Sequence, residues 1–198
     1  MTLSATTLAG YYCRLHAKLN SPGALFDGSW AEAPISQVDQ LQWGLKALEL
    51  SESETTGLAF DRTTDRFLLL TPGELERIAC ALGALKNQQS LKFCIDGGRL
   101  RQLQSMIGPL GYAEIMRPID RPPPQNFVAE WSVESLCIDG FKQLMSNAMD
   151  MHPITRRFLK VALPSNVSGS PSQGQILDGE LPLASLRTWF PELRWLFG

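Results

Sequence analysis

The segment from Phe67 to Ile107 carries the strongest apolar pattern in the chain, and it constrains the fold more than any other stretch. Thr71 and Glu74 stand on either side of Pro72, an arrangement in which a hydroxyl and a carboxylate cap the first amides of a helix. Apolar side chains then recur at helical spacing, at Leu75, Ile78, Leu82 and Leu85. The pattern predicts a helix that begins near Thr71 and buries one face.

The remainder of this segment predicts two further helical pieces. A polar break at 87–90 leads to a short apolar piece at 91–95, after which Asp96-Gly97-Gly98 opens another helix. The inner face of that helix holds Leu100, Leu103, Met106 and Ile107. We expect Gly108-Pro109 to end it, because proline cannot continue a helix and glycine is common just past a helix end.

Composition places the chain among globular proteins. It has 198 residues, of which 44% are hydrophobic and 19% charged, with a net charge of −2. This length suffices for one domain without disulfides or metals, and the weak net charge argues against a nucleic-acid partner. No stretch approaches the ~20 apolar residues of a membrane span, and no basic region precedes an apolar one at the N-terminus. We expect a soluble protein that does not insert into a membrane.

Helical periodicity recurs outside the central segment. Leu8, Tyr11, Tyr12, Leu15 and Leu19 predict an N-terminal amphipathic helix. Ser132 is expected to cap a helix carrying Cys137, Phe141, Leu144, Met145 and Ala148, with Gly140 as a weak point. His152-Pro153 is expected to open another helix, with Ile154, Phe158 and Val161 facing inward and Arg156, Arg157 and Lys160 facing outward.

The predicted fold is mainly α, a single irregular bundle of about seven to nine helices that forms one domain over residues 1–198. Residues 58–70 predict an extended lead-in and turn, or at most a minor β-hairpin, because two apolar pieces flank a polar turn. Residues 117–125, with four prolines, predict a stiff connector. Residues 165–180 have the composition of a flexible loop.

No arrangement of residues predicts catalysis. The four cysteines lie far apart with no CxxC spacing, which favours buried, reduced side chains over a zinc or redox site. Asp61 and Asp65 each stand beside an arginine and are interpreted as surface charges rather than as an acid/base pair. The sequence therefore predicts a protein without enzymatic activity and without catalytic, cofactor-binding or metal-binding residues.

Two groups of residues are candidates for binding another protein. Arg156, Arg157 and Lys160 would form a cationic face suited to an acidic partner, although a solvated charged face has the same pattern. Trp189 and Trp195 belong to an aromatic C-terminal segment that either packs on the protein's own core or recognises a partner. The residues alone leave both alternatives open.

Three blocks of the sequence resemble, in order and spacing, the YscK/SctK family of bacterial type III secretion proteins. They are LLLTPGELERIACALGALKNQQSLKFCIDGGRLRQL at 68–103, MDMHPITRRFLKVALP at 149–164 and LASLRTWFPELRWLF at 183–197. The resemblance extends from about Phe67 to Phe197 and consists of apolar, proline and glycine patterns.

This resemblance implies a cytoplasmic adaptor that is peripheral to the inner membrane through the secretion apparatus. Its implied partners are the cytoplasmic domain of an SctD-like ring protein and the SctQ-like protein of the sorting-platform pods, which also contain SctL. We expect a monomer in isolation. The alternative is a small cytosolic chaperone or regulatory binding protein of a secretion system.

Overall fold

The computed structural model describes residues 3–19, 60–118, 131–146, 151–162 and 182–197. Within these ranges the chain forms nine α-helices and two 3₁₀-helices, and no strand occurs in them. The prediction of a mainly α fold is confirmed. None of the helices in these ranges combines the length and the hydropathy that crossing a bilayer requires.

The α-helices are numbered here in chain order. They are α1 (Ala5–Leu19), α2 (Thr63–Arg66), α3 (Pro72–Lys86), α4 (Gln88–Leu91), α5 (Gly97–Ile115), α6 (Val133–Ser146), α7 (Pro153–Ala162), α8 (Leu183–Trp189) and α9 (Arg194–Phe197). The 3₁₀-helices are Phe67–Leu69 and Pro191–Leu193.

The chain divides into two compact units. Unit 1 comprises Met1–Leu75 and Ala148–Gly169, and unit 2 comprises Glu76–Asn147 and Ser170–Gly198. The single domain over 1–198 stays a prediction. The predicted connector at 117–125 lies outside the described residues from 119 onward, and the predicted loop at 165–180 lies entirely outside them.

Residues 63–69 are helical, so the predicted extended lead-in, or hairpin, is wrong over that part of 58–70. Residues 63–66 form α2, and Phe67–Leu69 continue as a 3₁₀-helix. All four apolar side chains from Phe67 to Leu70 are buried. A strand would place alternate side chains on opposite faces, whereas this tight turn buries them all between α1 and α7. Tertiary packing therefore overrides the local pattern.

Asp65 and Arg66 are also buried, which corrects the interpretation of Asp65 as a surface charge. The Arg66 Nε–H donates to the carbonyl of Phe60 at 2.8 Å, and a second N–H of the same guanidinium donates to the carbonyl of Asp61 at 3.3 Å. Its guanidinium carbon lies 5.3 Å from the centre of the Tyr11 ring. These contacts hold the start of residues 60–70 against α1.

The predicted cap of α3 is confirmed. The Thr71 amide donates to the Glu74 carboxylate at 2.8 Å, and the Glu74 amide donates to the Thr71 hydroxyl at 3.3 Å. This reciprocal pair satisfies amides that the first turn of a helix leaves without an intrahelical acceptor.

In unit 2, α3 and α6 cross with their backbones in contact. A Cβ atom built on Gly140 would lie 1.7 Å from the carbonyl oxygen of Ala79, and one built on Gly83 would lie 1.9 Å from that of Leu136. Gly140 is therefore not a weak point of α6, as the sequence suggested. It is one of two places where the absence of a side chain lets the helices meet.

Gly108 interrupts α5, as predicted, but the helix resumes after it. Gly108 has φ 77° and ψ 167°, which only glycine adopts readily, and helical residues continue to Ile115. Lys92 Nζ donates to the carbonyl of Arg117. An unbroken helix from Gly97 to Arg117 would be about 30 Å long, and the five residues from Lys92 to Gly97 span at most about 18 Å. The interruption thus brings the end of α5 back towards its beginning.

Candidate protein-binding surfaces

The α7 helix of unit 1, which carries the predicted cationic residues, is fixed at its N-terminus by side-chain hydrogen bonds. The backbone amide of His152 donates to Asp65 Oδ1 at 2.7 Å, and the amide of Ile154 donates to Nδ1 of His152 at 3.3 Å. Pro153 begins the helix with its preset φ. A carboxylate at this end also interacts favourably with the helix dipole.

One face of α7 is buried, as its periodicity predicted. Ile154 and Phe158 lie in the core of unit 1, together with Thr155, Leu159 and Ala162. The side chain of Val161, the third residue predicted to face inward, lies outside the described residues.

Arg156 and Arg157 lie on the partly exposed side of α7. Both are half-buried, and the side chain of Lys160 lies outside the described residues. Arg156 Nε is closed to solvent and has no hydrogen-bond acceptor among the described residues. A buried N–H without an acceptor is costly, so Nε itself does not contribute to holding this guanidinium in place.

Lys18, which was not predicted to be buried, is a buried basic residue that packs against this helix. Its Nζ donates to the carbonyls of Leu68, at 2.9 Å, and Leu70, and lies 3.6 Å from the centre of the Phe158 ring. Burial lowers the pKa of Lys18 from 10.5 to about 7, and the negative charge of Glu74 opposes that shift. The signal for burial was present, because Lys18 follows Tyr11 by seven residues and therefore shares its helix face.

The C-terminal aromatic segment belongs to unit 2, and its first tryptophan is in the core. Trp189 is 4% exposed, and its ring lies against Gly111, where a Cβ atom would be 3.3 Å from the ring carbons. Trp195 is half-buried. Phe190, Leu193 and Leu196 are buried. The structure thus places most of the segment's large apolar side chains in the unit's own interior, and a role for either tryptophan in seating a partner stays a prediction.

Arg77 ties this segment to the body of unit 2. Its Nη1 lies 2.8 Å from the Glu192 carboxylate, and its Nε donates to the carbonyl of Met106 at 3.0 Å. The same guanidinium lies 5.0 Å from the centre of the Phe190 ring. One side chain of α3 therefore bridges α5 and the residues that follow α8.

The connection between α4 and α5 presents apolar side chains to solvent. Ile95 is 100% exposed and Phe93 is 48% exposed. Asp96 Oδ1 accepts hydrogen bonds from the amides of Gly98, at 2.8 Å, and Arg99, at 3.1 Å, which caps α5. These bonds lower the pKa of Asp96, as do the positive charges of Arg99 and Arg101.

This exposed pair was not predicted from the sequence. The pattern at 91–95 indicated an apolar piece, but not that Phe93 and Ile95 would point away from the core. The available signal was the position of the piece, since it has only five residues between two helices and is followed at once by Asp96-Gly97-Gly98.

The structure brings no metal-binding group together in the part of the chain that it describes, where no cluster of three or more His, Cys, Asp or Glu side chains has suitable geometry. The cysteines are free thiols, but only Cys80 and Cys137 are buried. Cys13 is exposed and Cys94 half-buried, which corrects the expectation that all four would be buried.

The two predicted groups of binding residues therefore belong to different units, with Arg156 and Arg157 in unit 1 and Trp189 and Trp195 in unit 2. Comparison of the chain with models of protein families, with curated proteins and with solved structures found no match.

Proposed function

We propose that this chain is a non-catalytic cytoplasmic adaptor of a bacterial type III secretion injectisome. In this role it links the cytoplasmic domain of an SctD-like ring protein to the SctQ- and SctL-containing pods of the sorting platform. The observation that carries the proposal is the resemblance of three separate sequence blocks, in order and spacing, to the YscK/SctK family.

The local structure of these blocks is compatible with their resemblance. Within the described residues, the first block forms α3, α4 and the start of α5, the second forms α7, and the third forms α8 and α9. Their apolar positions are mostly core positions, including Leu75, Ile78, Phe158, Leu186 and Leu193. Patterns that specify helices and their packing are what a distant relative would keep, because they determine the fold.

An adaptor needs surfaces that other proteins recognise rather than a catalytic cleft. On α7, two half-buried arginines occupy the side opposite the core of unit 1. Arginine is enriched at interfaces because its guanidinium pairs with carboxylates in a fixed geometry. We assign Arg156 and Arg157 to the binding of an acidic surface on one of the two partners.

Two experiments test the proposed function. Purified protein should bind the purified cytoplasmic domain of the ring protein or the purified pod protein from the same bacterium. Deletion of the gene should abolish secretion, and expression of the intact chain should restore it. Binding to neither protein, together with normal secretion by the deletion strain, would contradict the adaptor role.

The contribution of α7 is tested by the double variant Arg156→Glu/Arg157→Glu. We expect it to remain folded and to bind one partner at least about tenfold more weakly, because it replaces attraction by repulsion. The matched control is Arg187→Glu/Arg194→Glu, which makes the same change of charge at two exposed positions of unit 2. Equal binding by the two variants and the wild type would remove α7 from the proposed interface.

A further inference from the structure

We propose that the surface formed by Phe93, Ile95, Arg99 and Arg101 in unit 2 is a docking site for an acidic segment of a partner protein, with Ile95 as its apolar anchor. We call it the Ile95 surface. The inference rests on the proposed adaptor function and adds to it the position and the chemistry of one contact.

Ile95 differs from the other exposed apolar residues in the extent of its exposure. Its side chain is fully exposed, whereas Tyr12, Phe93 and Leu110 are at most about half exposed. A single exposed apolar residue is ordinary, but here a half-exposed phenylalanine stands two residues away on the same short connection. Covering Ile95 would remove its fully exposed apolar surface from water.

The connection between α4 and α5 that carries Ile95 is held in shape by hydrogen bonds at both ends. The amides of Phe93 and Cys94 donate to the carbonyls of Ser90, at 3.2 Å, and Leu91, at 3.1 Å. At the other end the side chain of Asp96 caps α5. Ile95 is therefore displayed between two fixed ends, so that little backbone freedom remains to be lost when a partner binds.

Side-chain hydrogen bonds from Gln88 and Lys92 fix the beginning of the connection. Lys92 Nζ donates to the carbonyl of Arg117, and Gln88 Nε2 donates to the carbonyls of Glu114, at 3.3 Å, and Ile115, at 3.0 Å. These side chains bind α4 and the residue after it to the C-terminal end of α5. The exposed pair thus projects from an anchored part of the unit.

Charge identifies the class of partner. Residues 92–101 contain three cations, Lys92, Arg99 and Arg101, and a single carboxylate, Asp96. That carboxylate is already occupied by two backbone amides and by Arg99, whose Nε lies 3.4 Å away. Arg99 and Arg101 are both exposed. An apolar anchor bordered by arginines is complementary to a segment that carries carboxylates around an apolar side chain.

A lipid surface is a less suitable occupant. Binding to a membrane interface depends on a broad apolar face, such as that of an amphipathic helix, together with basic residues. Here the apolar part consists of one fully exposed and one half-exposed side chain. We therefore assign the surface to a protein and include vesicles in the test.

The test measures the affinity of the full chain for the purified pod protein and for the purified cytoplasmic domain of the ring protein. The variants are Ile95→Asp and Arg101→Glu, and each should weaken binding to one of the two partners at least about tenfold. The matched controls are Leu110→Asp, at a 53% exposed position of α5, and Arg187→Glu on α8, which should stay within about twofold of the wild type. Circular dichroism verifies that every variant is folded.

Each outcome decides something different. If the wild type binds a partner, and Ile95→Asp and Arg101→Glu bind that partner equally well, the Ile95 surface is overturned. The adaptor function is then left intact. Wild-type protein that binds neither partner overturns both. The third outcome concerns vesicles of phosphatidylcholine and phosphatidylglycerol. If the wild type sediments with them, Ile95→Asp does not, and partner binding is unchanged, the surface belongs to lipid and the inference is overturned.

Discussion

Asp65 Oδ1 accepts a hydrogen bond from the backbone amide of His152, 2.7 Å away, and so joins residues 60–70 to the N-terminus of α7 within unit 1. The carboxylate is buried, and the carbonyl of Asp65 also lies 3.4 Å from the Thr155 hydroxyl, which donates to it. Asp65, which could be imagined from the sequence as one member of an acid/base pair, therefore has a structural role: it connects residues 60–70 to α7.

Removing this carboxylate should destabilise unit 1. We expect Asp65→Ala to lower the free energy of unfolding by about 1–3 kcal/mol, because the part-buried amide of His152 loses its acceptor. Asp65→Asn should lower the free energy of unfolding by less, since its side-chain amide oxygen can still accept the hydrogen bond from the His152 amide. The measurement is urea unfolding followed by circular dichroism at neutral pH.

The matched control is Asp61→Ala, because Asp61 is the exposed member of the same pair. It should change the free energy of unfolding by no more than about 0.5 kcal/mol. If Asp61→Ala and Asp65→Ala lowered the free energy of unfolding equally, the structural role of Asp65 would be contradicted.

The burial of Lys18 should make stability depend on pH. Its pKa is about 7 in the folded protein and 10.5 ordinarily, so between these values the unfolded chain holds more protons than the folded protein. The free energy of unfolding should therefore rise with pH across that window, by up to about 1.4 kcal/mol per pH unit from this group. Well below pH 7 both states hold the proton, and this contribution is constant.

Two substitutions isolate the effect of Lys18. Lys18→Met removes the titrating group, so the increase of stability above pH 7 should become smaller. Lys18→Arg retains a charge that cannot be lost in this range, so it should be less stable than the wild type at pH 9. Unfolding curves at pH 7, 8 and 9 provide the comparison, and identical slopes for the wild type and Lys18→Met would refute the prediction.

The crossing of α3 and α6 should not tolerate a methyl group. In Gly140→Ala the new Cβ atom would overlap the carbonyl oxygen of Ala79, a backbone atom that cannot turn aside. We expect a loss of about 3 kcal/mol or more in the free energy of unfolding, or failure to fold, because overpacking against backbone exceeds ordinary side-chain crowding.

Gly10→Ala is the control for that substitution. Gly10 also lies within a helix, α1, but nothing lies within 4 Å of a Cβ atom built on it. Alanine there should be neutral or stabilising by up to about 1 kcal/mol. Thermal unfolding of the two variants measures the contrast, and a Gly140→Ala protein as stable as the wild type would show that the helices do not cross this closely.

The C-terminal segment should behave as core. Leu196 is fully buried in unit 2, so Leu196→Ala should lower the free energy of unfolding by about 2–4 kcal/mol. Glu192→Ala, which removes only the half-exposed partner of Arg77, should cost less than about 1 kcal/mol. Deletion of residues 191–198 should then unfold unit 2, as judged by circular dichroism. A folded deletion variant would instead leave the segment available to a partner.

Local sequence signals predicted those parts of the fold that depend on neighbours in the chain. Thr71 and Glu74 cap α3 because both partners lie within one turn, and Pro153 opens α7 for the same reason. Gly108 was identified as a break, since a glycine followed by a proline interrupts a helix in almost any context.

Features that depend on residues distant in the chain could not be predicted from local sequence patterns. Phe67 to Leu70 adopt a buried helical turn because α1 and α7 cover them from both sides, and no local pattern specifies that. Gly140 looked like a defect because its partner, the backbone of Ala79, is far away in the chain. For the candidate surfaces, the arginines of α7 were predicted from helical spacing, whereas the exposure of Ile95 follows from the way its connection is anchored.

The contact between α3 and α6 also has an evolutionary consequence. Neither Gly83 nor Gly140 can mutate to a larger residue unless both backbones shift together, whereas leucines and isoleucines in the core can exchange for one another at small cost. Over long divergence the apolar residues should therefore drift while these two positions stay glycine. Homologues too remote to share much identity should be recognisable by that retained pair.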